Sequence, residues 1–140
     1  MTGQTSREVV EKYVDAMAQN DYDAIDSLVS DDIVEEYPQS GEIIRGRANQ
    51  KAIMDNYPGR RENEFKASRP VIAGSGDEFT ASGPLTYPNG ETWHVVSLIS
   101  VRNGKIAKLT TYFAQPFEAP AWRAKWVEMS TAGEPAGVAR

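Results

Sequence analysis

The sequence predicts a single α+β domain, and three observations carry that prediction. Helical periodicity dominates the first 58 residues, period-two alternation with turn signals runs from residue 68 to 114, and an apolar fraction of 40% suffices for one core. A chain of 140 residues fits one domain. We expect it to occupy residues 1–130, with a flexible tail over 131–140 where Gly, Ala and Pro accumulate.

The elements follow in order. Thr5-Ser6-Arg7-Glu8 is a capping-box pattern, and Val10, Tyr13, Val14 and Met17 recur at helical spacing, which predicts a helix over 6–20. Asp21 is placed to cap a second, shorter helix carrying Tyr22, Ile25, Leu28 and Val29 on one face. A short strand at 33–37 ends at Pro38, and a loop over 39–46 leads to a third helix at 47–57 that carries Ala48, Ala52, Ile53 and Tyr57 on one side. Strands follow at 68–73, 78–87, 91–101 and 105–114, punctuated by Gly74-Ser75-Gly76, Pro88-Asn89-Gly90 and Asn103-Gly104. Asn103-Gly104 is the strongest hairpin signal, because a type I′ turn needs positive φ at both central residues. A last helix is predicted from Pro120, with Trp122, Trp126 and Met129 on one stripe.

Fifteen basic and twenty acidic residues give a net charge of −5, and no basic run exceeds Arg60-Arg61, so the footprint of a nucleic-acid binder is missing. No window resembles a signal peptide or a membrane span, and the chain has no cysteine, which together lead us to expect a cytoplasmic protein without a membrane partner. One histidine, no cysteine and no clustered carboxylate pattern lead us to expect no metal, and the lack of a Gly-rich phosphate loop to expect no nucleotide; we expect no cofactor.

A two-residue loop at Asn103-Gly104 pairs positions whose numbers sum to 207. His94 then faces Phe113, Val96 faces Thr111 and Leu98 faces Leu109, all on one side of the sheet. The opposite side carries Trp93, Val95, Ser97, Ile99 and Val101, which is also too apolar to be left wet. Helices can cover one side. A second copy of the chain is the expected cover for the other, making a homodimer through the outer sheet face.

Three short helix-and-strand features now combine: Asp31-Asp32-Ile33-Val34-Glu35-Glu36-Tyr37-Pro38, the Gly46-Arg47-Ala48 entry to the third helix, and the run from Gly104-Lys105-Ile106-Ala107 to Thr111-Tyr112-Phe113. In this order, over residues 6–117, they resemble the SnoaL-like branch of the NTF2-like superfamily. The resemblance implies an NTF2-like cone: a strongly curved, mainly antiparallel sheet wrapped on three N-terminal helices, plus a short C-terminal helix, with an apolar pocket and frequent dimers. Where the family's ketosteroid isomerases place a catalytic aspartate, this chain has Tyr37, within Glu36-Tyr37-Pro38. Where its limonene-epoxide hydrolases place an aspartate on the last strand, it has Thr111. Both departures argue against those two chemistries, and fold alone leaves the reaction open.

His94, as the only histidine, is the first candidate acid–base group, or else a core or rim histidine bonded to a backbone carbonyl. Alternation puts Ile33, Glu35 and Tyr37 on one face, turned inward by the isomerase comparison. Glu35 is a candidate base or orienter of the imidazole, or a strand-edge glutamate in water; Tyr37 is a candidate oxyanion donor or an aromatic wall. Val96, Leu98, Leu109, Thr111 and Phe113 of the strands and Tyr13, Met17 and Ile53 of the helices are the expected pocket lining. Two readings remain: proton-transfer catalysis of isomerase, cyclase or dehydratase type on a small apolar or carbonyl-containing molecule, and a non-catalytic carrier or sensor using the same pocket. A dimeric scaffold is a third.

Overall fold

The computed structural model describes residues 5–58, 66–67 and 69–130. Helix α1 (Ser6–Gln19) starts at the predicted capping box: Thr5 Oγ1 accepts from the Glu8 N–H at 3.1 Å, and the Glu8 carboxylate accepts from the Thr5 N–H at 3.2 Å. Asp21 caps α2 (Tyr22–Leu28) through a bond from the Ala24 N–H. Helix α3 (Arg47–Asp55) is held by Arg47, which donates to the Asp26 carbonyl at 3.0 Å and pairs with Asp31 at 2.7 Å.

Strand β1 (Val29–Tyr37) begins four residues earlier than expected, immediately after α2. The expected loop over 39–46 contains a strand of its own, β2 (Glu42–Arg45), which turns back onto β1 with Tyr37 opposite Glu42. The remaining strands are β3 (Lys66–Ala67), β4 (Val71–Ser75), β5 (Glu78–Thr86), β6 (Thr92–Arg102) and β7 (Lys105–Ala114). The predicted strand at 68–73 is thus shifted to β4, and its first residue lies outside the described residues, as do 131–140. The sheet runs β2-β1-β7-β6-β5, with β3 and β4 both on the far edge of β5. Only β1–β7 is parallel among these pairs, so the sheet is mixed and mainly antiparallel. It curves round α1 and α3 as an open NTF2-like cone. At the β4–β5 turn, Gly74 has φ +130, and a Cβ there would lie 2.3 Å from the Glu78 carbonyl oxygen, so no other residue fits.

Asn103 (φ 52) and Gly104 (φ 75) form the predicted turn, and the first pairs beyond it, Arg102 with Lys105 and Val101 with Ile106, keep the sum of 207. A bulge then skips Ala107: Ser100 pairs with Lys108, and every later pair sums to 208. This single inserted residue overturns the expected pairing. Val95 faces Phe113, Ser97 faces Thr111 and Ile99 faces Leu109 on the inner side, while His94, Val96 and Leu98 face Ala114, Tyr112 and Thr110 on the outer side. The cause is packing. Ile106 and Leu109 stand three apart, so strict alternation would expose one of them; the bulge buries both, at 0% and 2% exposure.

The core lies between the inner sheet face and the helices. Val9, Val10 and Val14 of α1 and Ile25 of α2 pack with Ile33, Ile99, Ile106 and Leu109. The C-terminal element is a 3₁₀ helix, Ala121–Trp126, with no buried residue, in place of the predicted amphipathic α-helix. No described helix is long and apolar enough to cross a membrane.

Candidate functional site

The inner face of the sheet is not filled. On β5 it presents Ala81 and Gly83, on β6 Ser97 and on β7 Thr111, and these short side chains at the centre of a curved sheet leave a cavity of about 540 Å³. That size suits a drug-sized organic molecule. The walls are mainly apolar or aromatic: Tyr13 and Met17 from α1, Ile53 from α3 and Tyr57 just after it, and Tyr37 and Phe113 from the sheet, the last two in edge-to-face contact with centroids 5.3 Å apart. The loop after β1 is tied to this wall by Gln39, whose side-chain amide donates to the Phe113 carbonyl at 2.9 Å and accepts from the Phe113 N–H.

Among the described residues of this lining there is one ionisable carboxyl. Glu35, 9% exposed, comes from the inward phase of β1, with α3 packed above it. Thr111 Oγ1 donates to Glu35 Oε2 at 3.1 Å, and Ser97 Oγ lies 3.2 Å from Thr111 Oγ1. An ionised carboxylate only accepts, so Thr111 spends its proton on Glu35 and Ser97 donates in turn to Thr111. Gln50, itself buried, bonds to the Tyr13 hydroxyl at 3.3 Å and also favours the ionised form of Glu35. Desolvation outweighs these donors, and the Glu35 pKa is raised above the usual carboxylate range. Burial, then the Glu35 charge, pushes the Tyr37 phenol upward as well, so Tyr37 stays protonated and can donate. Among the described residues lining the cavity there is no Lys, Arg or His.

The structure therefore brings together Glu35, Tyr37, Leu109, Thr111, Phe113, Tyr13, Met17 and Ile53 around one cavity. It does not bring His94, Val96 or Leu98 there. His94 is exposed on the outer face, Val96 is half-buried beside it and Leu98 is 44% exposed, all three displaced by the bulge. Their places belong to Val95, Ser97 and Ile99, and the three-residue spacing of Ile106 and Leu109 was the signal that could have found them. Gln50 was also missed. It sits on the buried face of α3, where a polar residue gives no hydrophobic signal.

A conical α+β fold with an apolar cavity defines a class, the NTF2-like proteins. Within it the chain belongs to the SnoaL-like domain family, whose model matches residues 10–109. It is similar to an NTF2-like protein of unknown function from Burkholderia xenovorans LB400, at 37% identity and a TM-score of 0.74, covering 90% of this chain and 95% of that one. It is similar also to a candidate ketosteroid isomerase from Kribbella flavida DSM 17836, at 25% identity and a TM-score of 0.82, covering 91% of each chain. A candidate polyketide cyclase from Pseudomonas putida KT2440 shares the fold at 24% identity and a TM-score of 0.64, covering 79% of this chain and 92% of that one. No curated protein matches the chain.

Proposed function

We propose that this cavity binds a small, largely apolar carbonyl compound and catalyses proton transfer on it without a cofactor, with Glu35 as the base. The observation that carries the reading is a buried carboxyl, held by Thr111, in an apolar cavity whose described lining supplies no cation. An ionised Glu35 takes a proton from the carbon next to the carbonyl: the C–H bond breaks, an O–H bond forms, and the electron pair moves into an enolate. Tyr37 donates its O–H to the enolate oxygen. Where the substrate carries a carbon–carbon double bond conjugated with the enolate, return of the proton to the far carbon of that bond shifts the double bond and gives an isomer. The raised pKa makes Glu35 a stronger base near neutral pH than an exposed glutamate. The acid–base role expected of His94 passes to Glu35, because an exposed ring on the outer face is out of reach of the cavity.

The carrier reading draws on the same cavity and on there being, among its described lining residues, no second carboxyl and no histidine beside Glu35. One experiment separates the two. The 2-tetralone methylene protons next to the carbonyl exchange with D₂O at a rate readable by NMR. Accelerated exchange with the wild-type chain, lost in Glu35→Gln while the ketone still binds, supports catalysis. Binding without acceleration supports the carrier, and failure to bind 2-tetralone and its 1-tetralone isomer removes both.

We propose further that two copies pair through the outer sheet face, where Leu98 and Tyr112 remain 44% and 39% exposed. The cysteine-free composition supports a cytoplasmic setting.

A further inference from the structure

The chain beyond β7 is an arm that its own domain does not cover. After Ala114 it leaves the sheet, passes Pro116 and Pro120, and forms the short 3₁₀ helix at Ala121–Trp126. Phe117 is 80% exposed, Trp122 74%, Trp126 76% and Met129 73%, with Val127 at 45%. The ring contact of the arm is internal, the Arg123 guanidinium lying 5.7 Å from the Trp122 ring centroid. Five large apolar side chains within thirteen residues, all in water, are what a chain shows when the surface that covers them belongs to another molecule.

Two features say which molecule. The first is continuity. Ala114 pairs with His94 on the outer face, so the arm departs from the end of the strip formed by Tyr112, Val96 and Leu98. The second is area. Aromatic side chains bury about 150–250 Å² each, so three that are three-quarters exposed offer roughly 400–500 Å² per chain. Reciprocal burial of two arms, with Met129, Leu98 and Tyr112 included, reaches the roughly 1,200 Å² at which stable interfaces begin. A two-fold pair meets both conditions, since each copy supplies one arm and one strip.

We propose that residues 115–130 are exchanged between two copies of this chain, each arm lying across the outer sheet face of the other with Trp122 and Trp126 as anchors. The proposal rests on the pairing put forward above and adds the element that holds the pair together.

The test is sedimentation velocity over a dilution series of the full-length chain, with hydroxyl-radical footprinting at the two ends of the series. The expected result is a dimer in which Phe117, Trp122, Trp126 and Met129 are protected together with Tyr112, all becoming reactive on dilution. Trp122→Ser with Trp126→Ser should fold normally, because neither ring supports its own domain, and should weaken dimerisation at least about thirtyfold. A dimer that protects Tyr112 but leaves the arm reactive overturns the exchange and retains the sheet-face pairing. Arm protection in a monomer overturns it in favour of a lid closing on its own chain. A chain that is monomeric and unprotected throughout overturns pairing and exchange together.

Discussion

The two faces of the β6–β7 hairpin are built from the same alternating sequence, yet one is finished and the other is not. On the inner face Ile99, Leu109 and Thr111 are buried against helices, with a cavity left where the side chains are short. On the outer face the neighbouring Leu98 and Tyr112 stay exposed, and the arm that follows adds two tryptophans in water. The difference teaches that burial inside this domain is decided by a single residue of register, and that the apolar residues the register excludes are available for association.

The largest expected effect breaks or upholds that contrast directly. Ile99→Ala removes a side chain that is 1% exposed and should cost about 2–5 kcal/mol, whereas Leu98→Ala, its immediate neighbour, should stay within about 0.5 kcal/mol. Urea unfolding at the lowest workable concentration, where association contributes little, reads both. Equal losses, or the reverse order, would mean that the bulge at Ala107 is misplaced.

Inside the cavity, Thr111→Val removes the hydroxyl that donates to Glu35. Hydrogen bonds to charged groups are worth about 1.5–3 kcal/mol, so the variant should lose that much at pH values where Glu35 is ionised and less where it is protonated. The Glu35 pKa should rise further. Carboxyl-carbon NMR shifts of labelled glutamate follow it, and an unchanged titration would remove Thr111 from the carboxylate's partners.

A smaller effect comes from Glu35 itself. Its folded-state pKa is raised, so the folded chain holds this proton more tightly than the unfolded chain. Stability from this group is therefore highest below the unfolded value of about 4.3, falls as pH rises toward the folded value, and is level above it. Each pH unit in that window costs about 1.4 kcal/mol. Glu35→Gln abolishes the slope, and the difference between the wild-type and variant melting curves against pH isolates it, because all other groups cancel. A flat difference would place the carboxyl in water.

Much of this architecture is legible from local rules because its signals are local. The capping box at Thr5 to Glu8, the Asp21 cap and the Asn103-Gly104 turn each depend on a few adjacent residues, and each forms. That Ile33, Glu35 and Tyr37 share a face also follows from simple alternation, while the inward sense of that face comes from the family resemblance. What escapes is long-range. The bulge exists because Ile106 and Leu109 must both reach a core assembled from α1, α2 and β1, a demand that no rule about the hairpin alone contains. β2 escapes for a related reason: Glu42–Arg45 becomes a strand by pairing with β1, and of its two apolar residues only Ile44 is buried. The C-terminal tryptophans have helical spacing, but they stay 74% and 76% exposed, and spacing without a surface that buries the stripe does not make an amphipathic helix.

The smallest expected effect is at the residue that sequence reasoning ranked first. His94 precedes the bulge and faces Ala114 and Pro84 across the neighbouring strands, on the exposed side. Its ring is separated from the cavity by the thickness of the sheet, so it has no path to a ligand beside Glu35. His94→Ala should leave 2-tetralone binding and proton exchange at wild-type levels and change the stability of the single chain by no more than about 0.5 kcal/mol. The imidazole should also react freely with a histidine-modifying reagent when the chain is dilute. If the arm of a second copy crosses this face, that reactivity should fall at concentrations where the pair forms, while exchange at the cavity stays the same. A loss of exchange in His94→Ala would instead require the strand to sit in the other register, with His94 inside and Ser97 out.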